Sequence, residues 1–390
     1  MNKIIETERI PIKLWLDDID DKTLQQAKNL ANLPFAFHHI AIMADAHVGY
    51  GMPIGGVLAT KGMIIPNAVG VDIGCGMCAV RTSLTQIDKE NLKKILGQIR
   101  TVIPVGFAHQ RKKQALSELS KIDSNTLVSK EYEHAQYQVG TLGGGNHFIE
   151  IQKGSDGFIW IMVHSGSRNL GKKVADHYNR LAIEFDKNHF PNFDKKIQLA
   201  FLPIDSAEGQ KYLKEMQYCV DFSLANKKLI INRVMDIFKQ FLIPKFTNKI
   251  DFGEIINIAH NYASFENHFG KDVIVHRKGA TKASVNTIGI IPGSQGSNSF
   301  IVQGLGNPES FESCSHGAGR KLGREQAKKT LNLTEEIKKL ENLGVLHTIR
   351  GVRDLEEAAG AYKDIDIVMQ NQKDLVKILV ELTPLAVVIG

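Results

Sequence analysis

The chain has 390 residues, 43% of them hydrophobic and 23% charged, a composition that excludes a disordered polymer and suffices for a large buried core. Lys and Arg outnumber Asp and Glu by 48 to 42, leaving a net charge of +6; this admits an anionic partner such as nucleic acid without requiring one. No apolar run approaches the roughly 18–20 residues of a membrane span and residues 1–9 lack a signal-peptide core, so a cytoplasmic location and no membrane partner are expected.

In chain order, Asp21 to Asn32 predicts a short helix ending before Pro34, and His39 to Ala44 a buried strand running into Asp45-Ala46-His47. Val57 to Thr60, Met63 to Pro66 and Met77 to Arg81 predict further short strands. Lys89 to Arg100 is an amphipathic helix pattern, and the polar stretch from Ala108 to Glu133 predicts an exposed helical insertion. Phe158 to Val163 predicts a buried strand that delivers His164 to its end, followed by a helix from Gly171 to about Asn188.

Ser206 to Leu242 carries apolar residues at helical spacing for roughly ten turns, and predicts one or two long helices on the outside. Short strands are expected at Ile255 to Ile258, Val273 to His276, Thr287 to Ile291 and Phe300 to Val302. A basic helix over Ala318 to Leu331, a helix over Asp364 to Leu382 and a last strand over Leu385 to Ile389 complete the reading. Motifs recur from residue 45 to residue 363 with no low-complexity linker. The expected fold is therefore α+β: one large mixed domain over residues 1–390, with several β-sheets surrounded by helices and a helical insertion near 206–242.

The four cysteines, Cys75, Cys78, Cys219 and Cys314, are too few and scattered for a disulfide framework and are expected as reduced thiols. Asp72 and Cys75 stand three residues apart, so a turn aims a carboxylate and a thiolate at one point while Gly74 and Gly76 keep the backbone clear. Of 14 histidines, His147, His164, His260 and His316 flank glycine, serine or asparagine at the mouths of predicted strands, where distant segments converge. Asp72, Cys75, His147, His164 and His260 together would suffice for two closely spaced divalent ions, Zn²⁺ as readily as Mn²⁺. His316 lies in Cys314-Ser315-His316-Gly317-Ala318-Gly319-Arg320, whose small residues let backbone N–H groups approach a phosphate, and an imidazole there can be a nucleophile. No G-x-x-x-x-G-K-[ST] loop and no nucleophile elbow occurs, which argues against P-loop and serine-hydrolase chemistry.

These motifs, in this order, resemble the RtcB family of RNA-splicing ligases. The resemblance runs from Pro11 to Leu382 and rests on Asp45-Ala46-His47-Val48-Gly49, Gly70-Val71-Asp72-Ile73-Gly74-Cys75-Gly76, Gly145-Asn146-His147-Phe148-Ile149-Glu150, His164-Ser165-Gly166-Ser167-Arg168, His260-Asn261, Arg277-Lys278-Gly279-Ala280, Pro292-Gly293-Ser294, the His316 loop and Ala361-Tyr362-Lys363-Asp364. It implies an RtcB-like fold and a GTP- and Mn²⁺-dependent enzyme that joins RNA 3′-phosphate or 2′,3′-cyclic phosphate ends to 5′-hydroxyl ends through a histidine–GMP intermediate on His316. It implies two Mn²⁺ per chain, held by Asp72, Cys75, His147, His164 and His260, with Cys75 bridging. Asn146 and the Gly317, Ala318 and Gly319 backbone would contact phosphates, while Glu150, Ser294, Ser299 and Tyr362 would surround guanine or ribose. Asp45 and His47 would support the metals, and Arg168 and Arg320 would line the RNA or phosphate path.

The chain departs from the family pattern at Ile389, where a guanine-reading lysine is usual, at Ala359 in place of proline and at Gln295 in place of methionine. These departures imply a divergent paralogue, suited to RNA repair or tRNA splicing, with weaker guanine preference. A metal-dependent phosphodiesterase or phosphatase is the alternative they leave open.

Overall fold

The computed structural model describes every residue except 117, 118, 120–122, 192, 247 and 248, and the side chains of 243–246. Two large sheets organise the described chain. One has six strands in the order Lys3–Ile5, Ile12–Leu14, Ala36–His47, Ile54–Thr60, Lys271–Lys278, Asn261–His268. The other has seven: Ile256–Asn257, Gly76–Arg81, Ile159–Ser165, Phe148–Gly154, Val376–Ile389, Ser299–Gly304, Ile288–Ile291. Among the described strands of these two sheets, Ile12–Leu14 and Ala36–His47 are the one parallel pair. A small ribbon of Ala280–Lys282 and Ser313–Ser315 carries the chain into His316. The architecture is the expected mixed α+β, with several sheets and surrounding helices.

The seven-stranded sheet buries one face against Lys89–Val102 and the 40-residue helix Ala207–Phe246, through Ile95, Ile99, Ile161, Val163, Ile230, Val234 and Phe238. Each such side chain contributes about 1.5–3 kcal/mol on burial. The N-terminal half of the long helix packs Tyr212, Met216 and Phe222 against Val174 and Tyr178 of Arg168–His189. The stretch expected on the outside is therefore a central pillar, because successive halves of its apolar stripe are buried in two different core clusters.

Three further readings are corrected. Helix over Ala318 to Leu331 begins only at Arg324 and ends at Thr330. Before it, Gly319 adopts φ +72° against the Asp45 backbone, and Lys321 and Leu322 donate to the Ala361 carbonyl instead of a helical partner. The Asp364 to Leu382 helix stops at Asn371, and Val376–Ile389 is a 14-residue strand paired on both sides. Its β-branched residues fit the gap between two strands better than they fit a helix. Among the described residues of the stretch Ala108 to Glu133, expected as an exposed helical insertion, no helix occurs before Leu127–Gln138, and that helix buries Val128 and Ala135. Part of this stretch, 117, 118 and 120–122, lies outside the described residues.

Among the described residues no helix is long and apolar enough to cross a membrane. All four cysteines are free and buried.

Candidate active site

Strand ends from both sheets meet at one place. In the seven-stranded sheet the register Met77↔His164↔Phe148 sets the Cys75 turn, His164 and His147 side by side. His260 enters from the six-stranded sheet, its N–H donating to the Cys75 carbonyl at 2.8 Å. Cys75 Sγ lies 3.3 Å from His164 Nε2 and 3.5 Å from His147 Nε2, and Asp72 Oδ2 lies 3.3 Å from the same His147 nitrogen. The His164 and His260 rings have centroids 5.3 Å apart, and His260 and His316 4.7 Å. All six side chains that the sequence nominated thus converge.

The chemistry of this cluster fits a divalent cation. One ligand atom each from Cys75, His147 and His164 lies within 4.8 Å of the others, and all three residues are buried. His260 Nδ1 is buried with no hydrogen-bond partner, a cost that a ligand would remove. Burial, reinforced by the other histidines, holds His164 down at about 3 and His260 well below the imidazole range, so both are neutral, the form that ligates. Burial and then the Asp72 charge push the Cys75 thiol well up. A cation reverses that bias, since a coordinating thiol loses its proton. The mix of one sulfur, one carboxylate and imidazoles suits Zn²⁺ and Mn²⁺ alike.

His316 has a separate support. Asp45 Oδ2 takes hydrogen bonds from His316 Nδ1 at 2.6 Å, His316 N at 3.1 Å and Gly317 N at 3.2 Å. Burial pushes the Asp45 carboxyl up, but the charge and hydrogen bond of His316 outweigh it and hold the group below the usual carboxylate range. With Nδ1 tied down, Nε2 is the nitrogen left to react. Asp45 therefore serves His316 and not the ligand cluster. His47 Nδ1 is 3.1 Å from the Asp45 carbonyl, and the Arg320 N–H reaches the same nitrogen at 3.4 Å.

Four of the remaining nominated residues fall into two networks. Buried Gln152 donates to Glu150 at 2.5 Å and to Ser299 at 3.0 Å, and Ser299 accepts the Gly293 N–H at 3.1 Å. Burial raises Glu150 to about 8, although the Gln152 hydrogen bond pulls the other way. Tyr362 and Arg320 instead share Glu357: Arg320 donates to it at 3.0 Å and to the Tyr362 hydroxyl at 3.1 Å, and Tyr362 donates to Glu357 as well. Arg320 is thus committed to internal contacts and does not face a free path. Ser294 borders a cavity of ≈ 400 Å³ with Gln295, Leu340 and Ala359. Arg168 donates to His147 Nδ1 at 3.3 Å, and Gly143, at φ +95°, leaves room for its guanidinium where a Cβ would overlap it.

Sequence reasoning missed a polar row on the long helix. Ser223 donates to the Gly74 carbonyl at 2.6 Å, and Lys227 donates to Ser223 at 2.9 Å. Asn226 accepts from Gly140 N at 2.7 Å and donates to Thr141 O, Ser165 Oγ and Gly166 O. Its signal was three polar residues at helical i, i+3, i+4 spacing within an apolar run. Asn261 ties the Asp72 turn to the ribbon, donating to Asp72 O at 3.1 Å and accepting from Gly279 N at 2.7 Å.

A model of the RtcB family, described as tRNA-splicing ligase RtcB, matches residues 26–131 and 112–390. The chain belongs to the RtcB family. The RNA-splicing ligase RtcB of Escherichia coli K12 is 37% identical over 409 residues, which cover 100% of this chain and 99% of that protein. The tRNA-splicing ligase RtcB of Nanoarchaeum equitans is 34% identical over 465 residues, covering 98% and 95%. The RNA-splicing ligase RtcB homolog 1 of Entamoeba dispar is 32% identical over 443 residues, covering 94% and 82%. This RtcB chain therefore aligns along its length with relatives from bacteria, archaea and a eukaryote.

Proposed function

We propose that this chain is an RNA ligase that uses GTP and Mn²⁺ to join RNA 3′-phosphate or 2′,3′-cyclic phosphate ends to 5′-hydroxyl ends, in RNA repair or tRNA splicing. The observation that carries the reading is the Asp45–His316 pair, with its Nδ1 contact of 2.6 Å, packed against His260 of the ligand cluster. Asp72, Cys75, His147, His164 and His260 would hold two Mn²⁺, which when bound supply positive charge against crowded phosphate oxygens.

His316 Nε2 attacks the α-phosphorus of GTP; a P–N bond forms, the α–β bridging P–O bond breaks and pyrophosphate leaves. Asp45 keeps the Nδ1 proton in place and balances the imidazolium charge that develops. An oxygen of the RNA 3′-phosphate then takes the GMP from His316, and the 5′-hydroxyl attacks the activated 3′-phosphorus, forming the phosphodiester and releasing GMP. A cyclic end is first opened by water. In this reading Asn146 and the 317–319 backbone contact phosphates, and Glu150, Ser294, Ser299 and Tyr362 surround guanine or ribose.

Ile389 favours a second reading, a ligase with relaxed nucleotide choice or a phosphodiesterase or phosphatase on the same metals. Its side chain packs beside Phe148 and Val387 and offers no donor to a base. Incubation with Mn²⁺ and α-labelled GTP or ATP separates the two. An acid-labile label with GTP, lost in His316→Ala, supports the ligase. Equal labelling by both nucleotides supports relaxed choice, with Ile389→Lys expected to restore GTP preference. No label with either nucleotide sinks ligase chemistry.

A further inference from the structure

We infer that the loop 104–113 is a stacking platform for the unpaired end of the RNA strand, with Phe107 as its aromatic face; this rests on the ligase reading above. Phe107 is fully exposed, at 101% of its reference surface, and no other large hydrophobic side chain among the described residues approaches that value. A solitary exposed hydrophobe is ordinary, so its surroundings decide.

The loop is tightly anchored. Gly106 N donates to Gly143 O at 2.8 Å, Leu142 N to Pro104 O at 2.9 Å, and Gln110 reaches Tyr137 O through its N–H at 2.9 Å and Gly140 O through Nε2 at 2.7 Å. Phe107 is therefore presented on backbone bonded to the glycine loop that continues into Asn146 and His147. Exposed His109, Arg111 and Lys112 follow it. Beside Gly145 stands the Arg324 guanidinium, half exposed at 51% and paired with Glu357 at 3.2 Å.

An aromatic face followed by exposed cations, on a loop bonded to the glycine run that leads into the ligand cluster, matches what a single strand needs. Bases of any identity stack on the ring, and phosphates meet the guanidinium and ammonium groups. A protein partner would call for contiguous exposed apolar neighbours; Val105 is packed against the core, and Gly106, Ala108, His109, Gln110, Arg111 and Lys112 are small or polar.

The test uses full-length wild type, Phe107→Ala and Phe107→Trp with labelled 3′-phosphorylated RNA, either single-stranded or with its 3′ end base-paired. Kd is read by anisotropy, and His316 guanylylation, which takes no RNA, is measured in parallel. Phe107→Ala should weaken single-strand binding roughly five- to a hundredfold, the range of one lost stack, while guanylylating as wild type does. Phe107→Trp should restore binding, and the paired end should change by less than about twofold. Single-strand binding unchanged in Phe107→Ala, or equal loss for both RNAs, overturns the platform alone. Wild type that neither guanylylates nor binds RNA removes the ligase reading and the platform with it.

Discussion

Asp45 spends one carboxylate oxygen on three donors from the His316 segment, so its charge and its geometry both act on the imidazole. Asp45→Asn keeps the volume but puts a neutral amide against Nδ1. Guanylylation of the variant should slow by roughly a hundredfold or more at unchanged fold. Near-wild-type labelling kinetics in Asp45→Asn would show that the pair is structural only. Glu150 offers a different residue-level test, because burial raises it to about 8 against an ordinary 4.5. The folded state then binds an extra proton between those values. The stabilising contribution is full below about pH 4.5 and is lost as pH rises to about 8. Glu150→Gln stays neutral throughout, so its stability relative to wild type should climb across that window, by an amount on the order of a few kcal/mol at about 1.4 per unit. Parallel pH–stability curves by urea unfolding would rule this out.

The long helix Ala207–Phe246 acts on the site through its polar row, where Asn226 joins the loop before His147 to the turn after His164. Asn226→Ala would strand a buried Gly140 N–H and the Gly166 carbonyl. With roughly 1–3 kcal/mol for each unsatisfied group, the urea midpoint should fall by the equivalent of about 2–6 kcal/mol at constant m; a midpoint like that of wild type would deny the helix this role. How the sequence hid this row explains what it revealed elsewhere. Asp72, Cys75, His147, His164, His260 and His316 were readable because glycine, serine or asparagine beside each marks a strand end, and strand ends converge. The seven strand predictions from His39 to His276 that rested on apolar runs each overlap an observed strand for the same local reason. Asn226 carries no such mark, since a polar residue inside a helical pattern reads as solvent-facing until the packing partner is known. Likewise, Val376 to Leu382 reads as a continuation of the helix that Asp364 caps, and only the two flanking strands decide otherwise.

At the scale of the whole molecule the site is a seam. Cys75, His147 and His164 belong to the ends of the seven-stranded sheet, while His260, Asp45 and the ribbon to His316 belong to the six-stranded side. Direct bonds across it include the backbone bond from His260 N to Cys75 O and those of Asn261. A cation held by residues from both sides adds its binding free energy to the cohesion of the sheets, because the unfolded chain offers no such cluster. At a free concentration about a hundred times Kd, Mn²⁺ should stabilise the fold by about 2.7 kcal/mol. That amounts to a melting temperature higher by several degrees, and the effect should reverse with chelator. Cys75→Ala removes the ligand nearest both His147 and His164, and should lose most of the Mn²⁺-dependent shift while melting cooperatively in its absence. A Cys75→Ala protein that gains as many degrees from Mn²⁺ as wild type would mean that the cation binds elsewhere and that the seam closes without it.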